Sequence, residues 1–456
     1  MFNNKKIFIL GMARSGYEAA KVLAKHNNKI TITDIKDQNA EHLGQLKKLG
    51  VKFIKTENPV ELLDDTYDYV VKNPGIKIDH PVIEKAKKLK IPVTNEVEVA
   101  YSFFPKNIKI IAITGSNGKT TTTTMIYEIL KKASLPVLLG GNIGYPVCSL
   151  VEIVKENDIL VLEISSHQLY DMKNFKANIS IMTNLSPVHL DHFGTYEYYK
   201  QQKFKIFNNQ TKDDIAVLNK ENIDVMSGEK EIKSTKVYFS SKEKSDCYLN
   251  KDILYFKDEE IISTSDIKVQ GIHNYENAMC AIIVAKTFNV SNEIIKEFFK
   301  EFKGVEHRIE FVKEINGVSY YNDSKATNTE STSIALASFE NPTILILGGL
   351  DRGHSFEPLL PFMKNVKCIL AYGETKSRLV DFAKQNKIEV YSYDTLPECV
   401  LKAKEISKSG DVVLLSPACA SWDQYESFEK RGEEFKKNVN NLWVLHSFYM
   451  FYWILM

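Results

Sequence analysis

Between Ile108 and Thr124 the chain reads I-K-I-I-A-I-T-G-S-N-G-K-T-T-T-T-T, and its residue types are those that hold a polyphosphate. An apolar, β-branched run containing Ile110, Ile111 and Ile113 stops at Gly115-Ser116-Asn117-Gly118-Lys119-Thr120-Thr121. A helical pattern through Met125, Ile126, Ile129 and Leu130 follows. Small residues let a loop backbone close around phosphate oxygens, and amides at a helix start point at them. The Lys119 amine adds charge and the Thr120 hydroxyl can ligate Mg²⁺. The usual phosphate loop places its first glycine five residues before the second, where this chain has Ile113; here Gly115 lies three before Gly118, a shortened variant. A Gly-Lys-Thr triplet alone arises by chance, but a strand before it and a helix after it set it apart from an ordinary βα turn.

Other strand ends carry polar groups. Ile159–Leu162 is a buried strand that delivers Glu163, Ser165, Ser166, His167 and Gln168, and Ile179–Thr183 delivers Asn184, with His189 and Asp191 beyond it. Ligands of open parallel sheets bind at the carboxyl ends of strands, so these groups are expected beside Lys119 and Thr120. Glu163 is then a candidate Mg²⁺ ligand, hard oxygen for a hard cation. Taken singly, His167, Asp191 and His192 read better as capping or solvated loop residues. Gly140-Gly141-Asn142-Ile143-Gly144 follows a strand at Val137–Leu139. Asn274 and Asn277 share one face of a helix and could read a base edge, or serve as a cap and a packing residue.

The flanking regions repeat the strand-then-polar-loop pattern. At the N-terminus, Gly11-Met12-Ala13-Arg14-Ser15-Gly16 follows a strand, and Asp34 closes the next one. That copies the dinucleotide fingerprint except that Ala13 replaces the middle glycine, which puts ordinary NAD binding in doubt. Asn73-Pro74-Gly75 is a rigid turn whose small residues could line a ligand. Toward the C-terminus, Gly317–Tyr321 ends in Asn322-Asp323-Ser324-Lys325-Ala326-Thr327-Asn328, a polar cluster that is costly to bury without a ligand.

The elements that must position these residues alternate strand and helix, which marks a mostly parallel sheet covered on both faces. At 456 residues the chain exceeds one core, and ~150 residues per domain suggests about three. We expect an α/β protein with a Rossmann-like domain over 1–98, a central nucleotide-binding parallel sheet over 99–304, a second Rossmann-like domain over 305–441 and an apolar tail over 442–456. With 59 basic and 58 acidic residues, no field favours nucleic acid or a membrane surface. The six scattered cysteines form no C-x-x-C pair and fit a reduced cytoplasm. The tail LWVLHSFYMFYWILM is shorter than the ~20 residues of a bilayer span and reads as peripheral and non-catalytic.

Together these motifs resemble the Mur ligase family. TGSNGKTT at 114–121, GGNIG at 140–144, EISSHQL at 163–169, GIHNYEN at 271–277, HRIE at 307–310, NDSKATN at 322–328 and SPACASWDQYESFEKRG at 416–432 match it in order. The resemblance implies a cytoplasmic, monomeric, ATP- and Mg²⁺-dependent ligase that adds D-glutamate to UDP-N-acetylmuramoyl-L-alanine. The alternatives are a sister Mur ligase or a folylpolyglutamate synthetase-like amide ligase using another amino acid. It implies that Gly115 to Thr121, Asn142, Asn274, Asn277, Arg308, Asp323 and Lys325 frame ATP. Thr120, Glu163, His189 and a carbamylated Lys203 would serve the metal, with Lys119, Glu163, His189 and Lys203 the catalytic set. The register of that lysine also admits Lys200 or Lys205, although a solvated helix lysine fits those two better. Ser15, Asp34, Lys36, Asn73, Gly75, Asn142, Ser165, Gln168 and His189 would hold the UDP-sugar, and Lys325, Thr327, Arg352, Ser421, Trp422 and Phe428 the D-glutamate.

Two rivals belong to other classes. A nicotinamide dehydrogenase would use residues 11–34 but leaves the Gly-Lys-Thr loop idle. A nucleotide-dependent switch would use that loop without needing the charged cluster of the last domain.

Overall fold

The computed structural model describes residues 1–187 and 193–454, in two compact units, Met1–Phe302 and Lys303–Met456. Among the described residues, three sheets form. The first comprises β1 (Lys6–Leu10), β2 (Lys29–Asp34), β3 (Lys52–Lys55), β4 (Tyr69–Lys72) and β5 (Val93–Thr94), in the order β3-β2-β1-β4-β5 with every pairing parallel. The helix Arg14–Ala24 lays Tyr17, Ala19, Ala20, Val22 and Leu23 into the core beside it.

The local sequence explains why the glycine turn tolerates Ala13 and not a larger Gly16. Ala13 sits at φ −52° and ψ 176°, open to any L-residue. A Cβ at Gly16 would stand 2.0 Å from the Gly11 carbonyl oxygen, so this glycine is what lets the helix close on the strand.

The second sheet, also in the first unit, comprises β6 (Lys109–Thr114), β7 (Val137–Gly141), β8 (Ile159–Glu163), β9 (Ile179–Met182), β10 (Ile215–Asn219), β11 (Thr235–Ser240), β12 (Cys247–Asn250), β13 (Ile253–Phe256) and β14 (Glu259–Ser263). Its order is β14-β13-β12-β11-β10-β9-β6-β8-β7, parallel up to β12 and antiparallel through β12, β13 and β14. Register does the positioning: Ile113 lies opposite Glu163, Gly141 also opposite Glu163, and Thr114 opposite Met182. The ends of β6, β7, β8 and β9 therefore open at one place.

The second unit holds β15 (Glu310–Ile315), β16 (Val318–Asn322), β17 (Thr343–Gly348), β18 (Val366–Tyr372), β19 (Glu389–Ser392) and β20 (Val412–Leu415), in the order β15-β16-β20-β17-β18-β19. Only the β15–β16 pairing is antiparallel among these. Because β20 lies between β16 and β17, the loops 322–328, 349–353 and 416–423 emerge side by side. Apolar clusters cover both faces, one including Phe435, Val439 and Leu442 from the helix Phe428–Ile454. That helix runs on through the expected tail. No helix among the described residues is long and apolar enough to cross a membrane. The six cysteines are all buried and unpaired.

Gly16→Ala should cost about 1–3 kcal/mol of unfolding free energy through overpacking, read as a lowered urea midpoint with an unchanged slope.

Candidate functional site

The first unit gathers its polar groups around the loop after β6. Gly118, at φ 79°, precedes the helix Lys119–Lys132, and a Cβ there would meet the Asn277 side-chain oxygen at 2.4 Å. Glycine is thus imposed twice, by backbone angle and by the helix Ile272–Thr287 packed against the loop. Glu163 is 1% exposed. One of its oxygens accepts from the Thr120 hydroxyl at 2.7 Å and the other from the Asn142 amide at 2.7 Å. Two hard oxygens, a hydroxyl and a carboxylate, thereby stand side by side at the start of a helix, the donor set that suits Mg²⁺. Lys119 Nζ donates to the Gly115 and Ser116 carbonyls at 2.9 and 2.8 Å, which folds its cation over the loop. Asn184 receives the Asn117 amide at 2.9 Å, and the Tyr199 hydroxyl meets the Ser116 hydroxyl at 3.0 Å.

The helix Tyr196–Phe204 separates three lysines that sequence left as alternatives. Lys203 is 1% exposed and donates to the Thr114 hydroxyl at 3.0 Å and to the Gly115 carbonyl at 2.8 Å. Burial, with the Lys119 charge adding to it, holds its amine well below the ordinary lysine range. Lys200 instead pairs with Asp224 and Glu197, and Lys205 donates to the Tyr170 carbonyl. The expectation that those two are solvated needs correcting: both are engaged, but away from the phosphate loop.

At the first sheet, the Asp34 carboxylate accepts from the backbone N–H groups of Met12 and Lys36, at 2.7 and 3.0 Å. Asn73 donates to the Ser15 hydroxyl at 3.0 Å and receives the Gly75 amide. These residues form one continuous edge with Lys36 exposed beside it. Ser165 and Gln168 spend their side chains on one another in a capping box. Asn274 donates to the Gln270 carbonyl, while Asn277 receives the Thr122 hydroxyl at 3.0 Å.

In the second unit, Asp323 is buried and accepts from the Ser416 hydroxyl at 2.7 Å and the Ile309 amide at 3.2 Å. Burial pushes its carboxyl up to about 7, against the opposing pull of Ser416 and Arg308. Lys325 lies 5.8 Å from the Phe428 ring, and the Arg352 guanidinium stacks 5.0 Å from the Trp422 ring. Arg431 is fully buried, and its guanidinium donates to the Ser324 hydroxyl and carbonyl and to the Cys419 carbonyl, at 2.8 to 3.1 Å.

The chain matches the Mur ligase MurD-like N-terminal domain over residues 5–95, the Mur ligase middle domain over 113–285 and the Mur ligase glutamate ligase domain over 307–419. It is 42% identical over 447 residues to the UDP-N-acetylmuramoylalanine–D-glutamate ligase of Geobacillus sp. (strain WCH70), covering 97% of this chain and 98% of that one. It is 44% identical over 445 residues, with the same coverage, to the ligase of that name from Bacillus thuringiensis (strain Al Hakam). The chain belongs to the Mur ligase family.

The Mur ligase fold is shared with solved structures too. UDP-N-acetylmuramate-alanine ligase MurC of Thermotoga maritima superposes with a TM-score of 0.60 at 21% identity, covering 96% of this chain and 99% of that one. MurF ligase of the same organism, in complex with ADP, gives 0.59 at 18%, covering 96% of each. Against this Mur ligase frame, the structure brings Lys119, Thr120, Asn142, Glu163, Lys203 and Asn277 to one loop. It places Ser15, Asp34, Asn73 and Gly75 along the first sheet's edge. His189, with Asp191 and His192, lies outside the described residues. Sequence reasoning missed Tyr199 and Arg431. The second had a signal: it shares a helical stripe with Phe435, Val439 and Leu442, where a charge is out of place.

A carboxyl raised by folding, as Asp323 is from 3.8 to about 7, stabilises the fold fully below the lower value and loses that contribution as pH rises through the upper one. Glu96, raised by burial from 4.5 to about 7, acts in the same direction. These two carboxyls therefore contribute a fall of unfolding free energy with rising pH across this window, and Asp323→Asn should make the measured slope of urea unfolding free energy against pH more positive by up to about 1.4 kcal/mol per pH unit.

Proposed function

We propose that this Mur ligase uses ATP to add D-glutamate to UDP-N-acetylmuramoyl-L-alanine, in the cytoplasm, as a step of peptidoglycan precursor synthesis, working as a monomer. The observation that carries the reading is the buried Glu163 carboxylate set against the Thr120 hydroxyl beside Lys119. It stands in a chain 42% and 44% identical to ligases of that name.

The chemistry follows from the parts. The lactyl-L-alanine carboxylate attacks the γ-phosphate of ATP and an acyl phosphate forms, with ADP leaving. The loop amides from Gly115 to Thr121 and the Lys119 ammonium hold the phosphates where charge spreads in a loose transition state. Mg²⁺, held by Thr120, Glu163 and, in this reading, His189, supplies further neutralisation of phosphate charge. Asn142 keeps the Glu163 carboxylate turned toward Thr120. The D-glutamate amine then attacks the acyl carbonyl, and the tetrahedral adduct expels phosphate. Arg352, stacked on Trp422, offers a guanidinium to a substrate carboxylate bidentately. Lys325, Thr327, Ser421 and Phe428 complete the amino-acid site, and Arg308, Asp323, Asn274 and Asn277 the nucleotide's. Ser15, Asp34, Lys36, Asn73, Gly75, Ser165 and Gln168 take the UDP-sugar.

Lys203 fits the carbamylated role better than its neighbours, because it alone of the three is buried against the phosphate loop, at the Thr114 hydroxyl and the Gly115 carbonyl, where burial holds its amine well below the ordinary lysine range. The neutral form of its amine adds to CO₂ and one proton leaves, so that a carbamate anion forms near Glu163 and the phosphate loop.

The test is phosphate release from ATP with UDP-N-acetylmuramoyl-L-alanine against a panel of D- and L-amino acids. Turnover with D-glutamate is expected; preference for any other amino acid would replace this reading with a sister ligase. Lys119→Ala should lower phosphate release by about 10²–10³-fold while calorimetric UDP-sugar binding stays nearly intact. In ¹³C-bicarbonate, wild-type protein should show a carbamate resonance that Lys203→Arg lacks and Lys200→Arg and Lys205→Arg retain.

A further inference from the structure

A charged pair is buried between the first two sheets where neither strand pairing nor the loop chemistry requires one. Lys72, the last residue of β4, and Asp171, just past the short helix Ser166–Tyr170, meet at 3.0 Å with side chains 0% and 3% exposed. Lys72 Nζ also donates to the Ile76 carbonyl at 3.1 Å. It thereby clamps the turn that begins at Asn73, which the Ile76 amide closes on the Asn73 carbonyl at 3.0 Å.

On the other side, the helix Ser166–Tyr170 is too short to hold itself. Its start is closed by the Ser165–Gln168 capping box. Its end is fixed from outside: Asn95 donates to the Gln168 carbonyl at 2.6 Å, Lys205 donates to the Tyr170 carbonyl at 2.8 Å, and Lys72 takes Asp171. Asn95 acts along the chain's own crossover between sheets. Lys72 instead reaches across from the strand end that carries the Asn73 turn. An apolar contact in its place would fill the space but leave the two segments free to slide, whereas an ion pair with a directed hydrogen bond sets both distance and orientation.

We infer that the Lys72–Asp171 pair is a positioning element that holds the 73–76 turn in register with the 165–171 segment, so that the UDP-sugar meets two preassembled walls. This rests on the proposed substrate, since those walls carry Asn73, Gly75, Ser165 and Gln168. Neither charged group touches substrate; each acts through the backbone it pins.

The test separates positioning from stability. Lys72→Met alone strands a buried carboxylate and should lower the thermal midpoint. Lys72→Met with Asp171→Leu removes both charges and should recover most of that midpoint. The double variant should nonetheless raise KM for UDP-N-acetylmuramoyl-L-alanine roughly tenfold, with kcat and the KM values of ATP and D-glutamate within about twofold. Without any substrate, its amides at Gly75, Ile76 and 168–171 should exchange with deuterium roughly tenfold faster than in the parent. Unchanged exchange in the double variant overturns the inference, as does unchanged UDP-sugar KM in an active parent. A parent inactive on this substrate refutes the functional reading instead, and the exchange measurement still decides the pair.

Discussion

The first unit is built around one carboxylate kept from water. Glu163 ends a strand whose five residues are all buried, and a charge there must be answered by hydrogen bonds or a cation, because the desolvation it suffers exceeds any gain from packing. Thr120 and Asn142 answer it from opposite sides. Each can do so only because the strand order brings β6, β8 and β7 together with Glu163 across from both Ile113 and Gly141. A different register would turn the side chain into an apolar face. The sheet's topology, its glycines and its loop lengths thus serve the placement of this anionic group next to the glycine loop after β6.

The same crowding governs the cations. Lys119 and Lys203 both donate to the Gly115 carbonyl, and two ammonium groups sharing one oxygen in a dry place repel. Burial, reinforced by the Lys119 charge, holds the Lys203 amine well below the ordinary lysine range and eases that conflict. Lys119, half-buried at the edge of the loop, is the lysine that the proposed mechanism sets against the phosphates. Under that proposal one lysine is an electrostatic partner and the other the site of carbamylation, and their difference in burial separates the two roles.

How much of this the sequence discloses depends on whether the cause is local. Glu163 follows four apolar strand residues and was legible as a placed group; so were the phosphate loop and the Asn73-Pro74-Gly75 turn, since each is written in adjacent residues. What could not be read is set by partners distant in sequence. Lys200, Lys203 and Lys205 share one polar stretch, and only packing decides that Lys203 faces Thr114 while Lys205 turns to Tyr170. Asp34 reads only as the acid that closes the dinucleotide pattern, and the fold alone shows one of its oxygens accepting the Met12 N–H from the first glycine turn. The strands β14 and β15 escaped notice for a different reason. They are antiparallel additions at sheet edges, and their mixed polar sequences, Glu259–Ser263 and Glu310–Ile315, lack the continuous apolar run that marks a buried parallel strand.

The second unit meets its constraint through backbone rather than charge placement. His307, Ile309 and Ala418 hold φ of 63°, 44° and 56°, a region that non-glycine residues occupy at about 1–3 kcal/mol each and that a β-branched residue such as Ile309 avoids most. All three lie in the segments that converge on Asp323, where Ile309 offers its amide to the carboxyl and Ser416 its hydroxyl. Such strain persists only where surrounding contacts over-determine the path. Arg431 supplies several: from inside the core it grips Ser324 in one loop and the Cys419 carbonyl in the other. A guanidinium buried without a carboxylate against it would be costly in an isolated helix. Here its donors are met by a hydroxyl and two carbonyls, so its rigid fork becomes a gauge for the distance between loops. An uncharged side chain of equal volume could fill that space but could not measure it, and the strained turns around Asp323 would then be held only by their own hydrogen bonds, among them those of the Ile309 amide and the Ser416 hydroxyl.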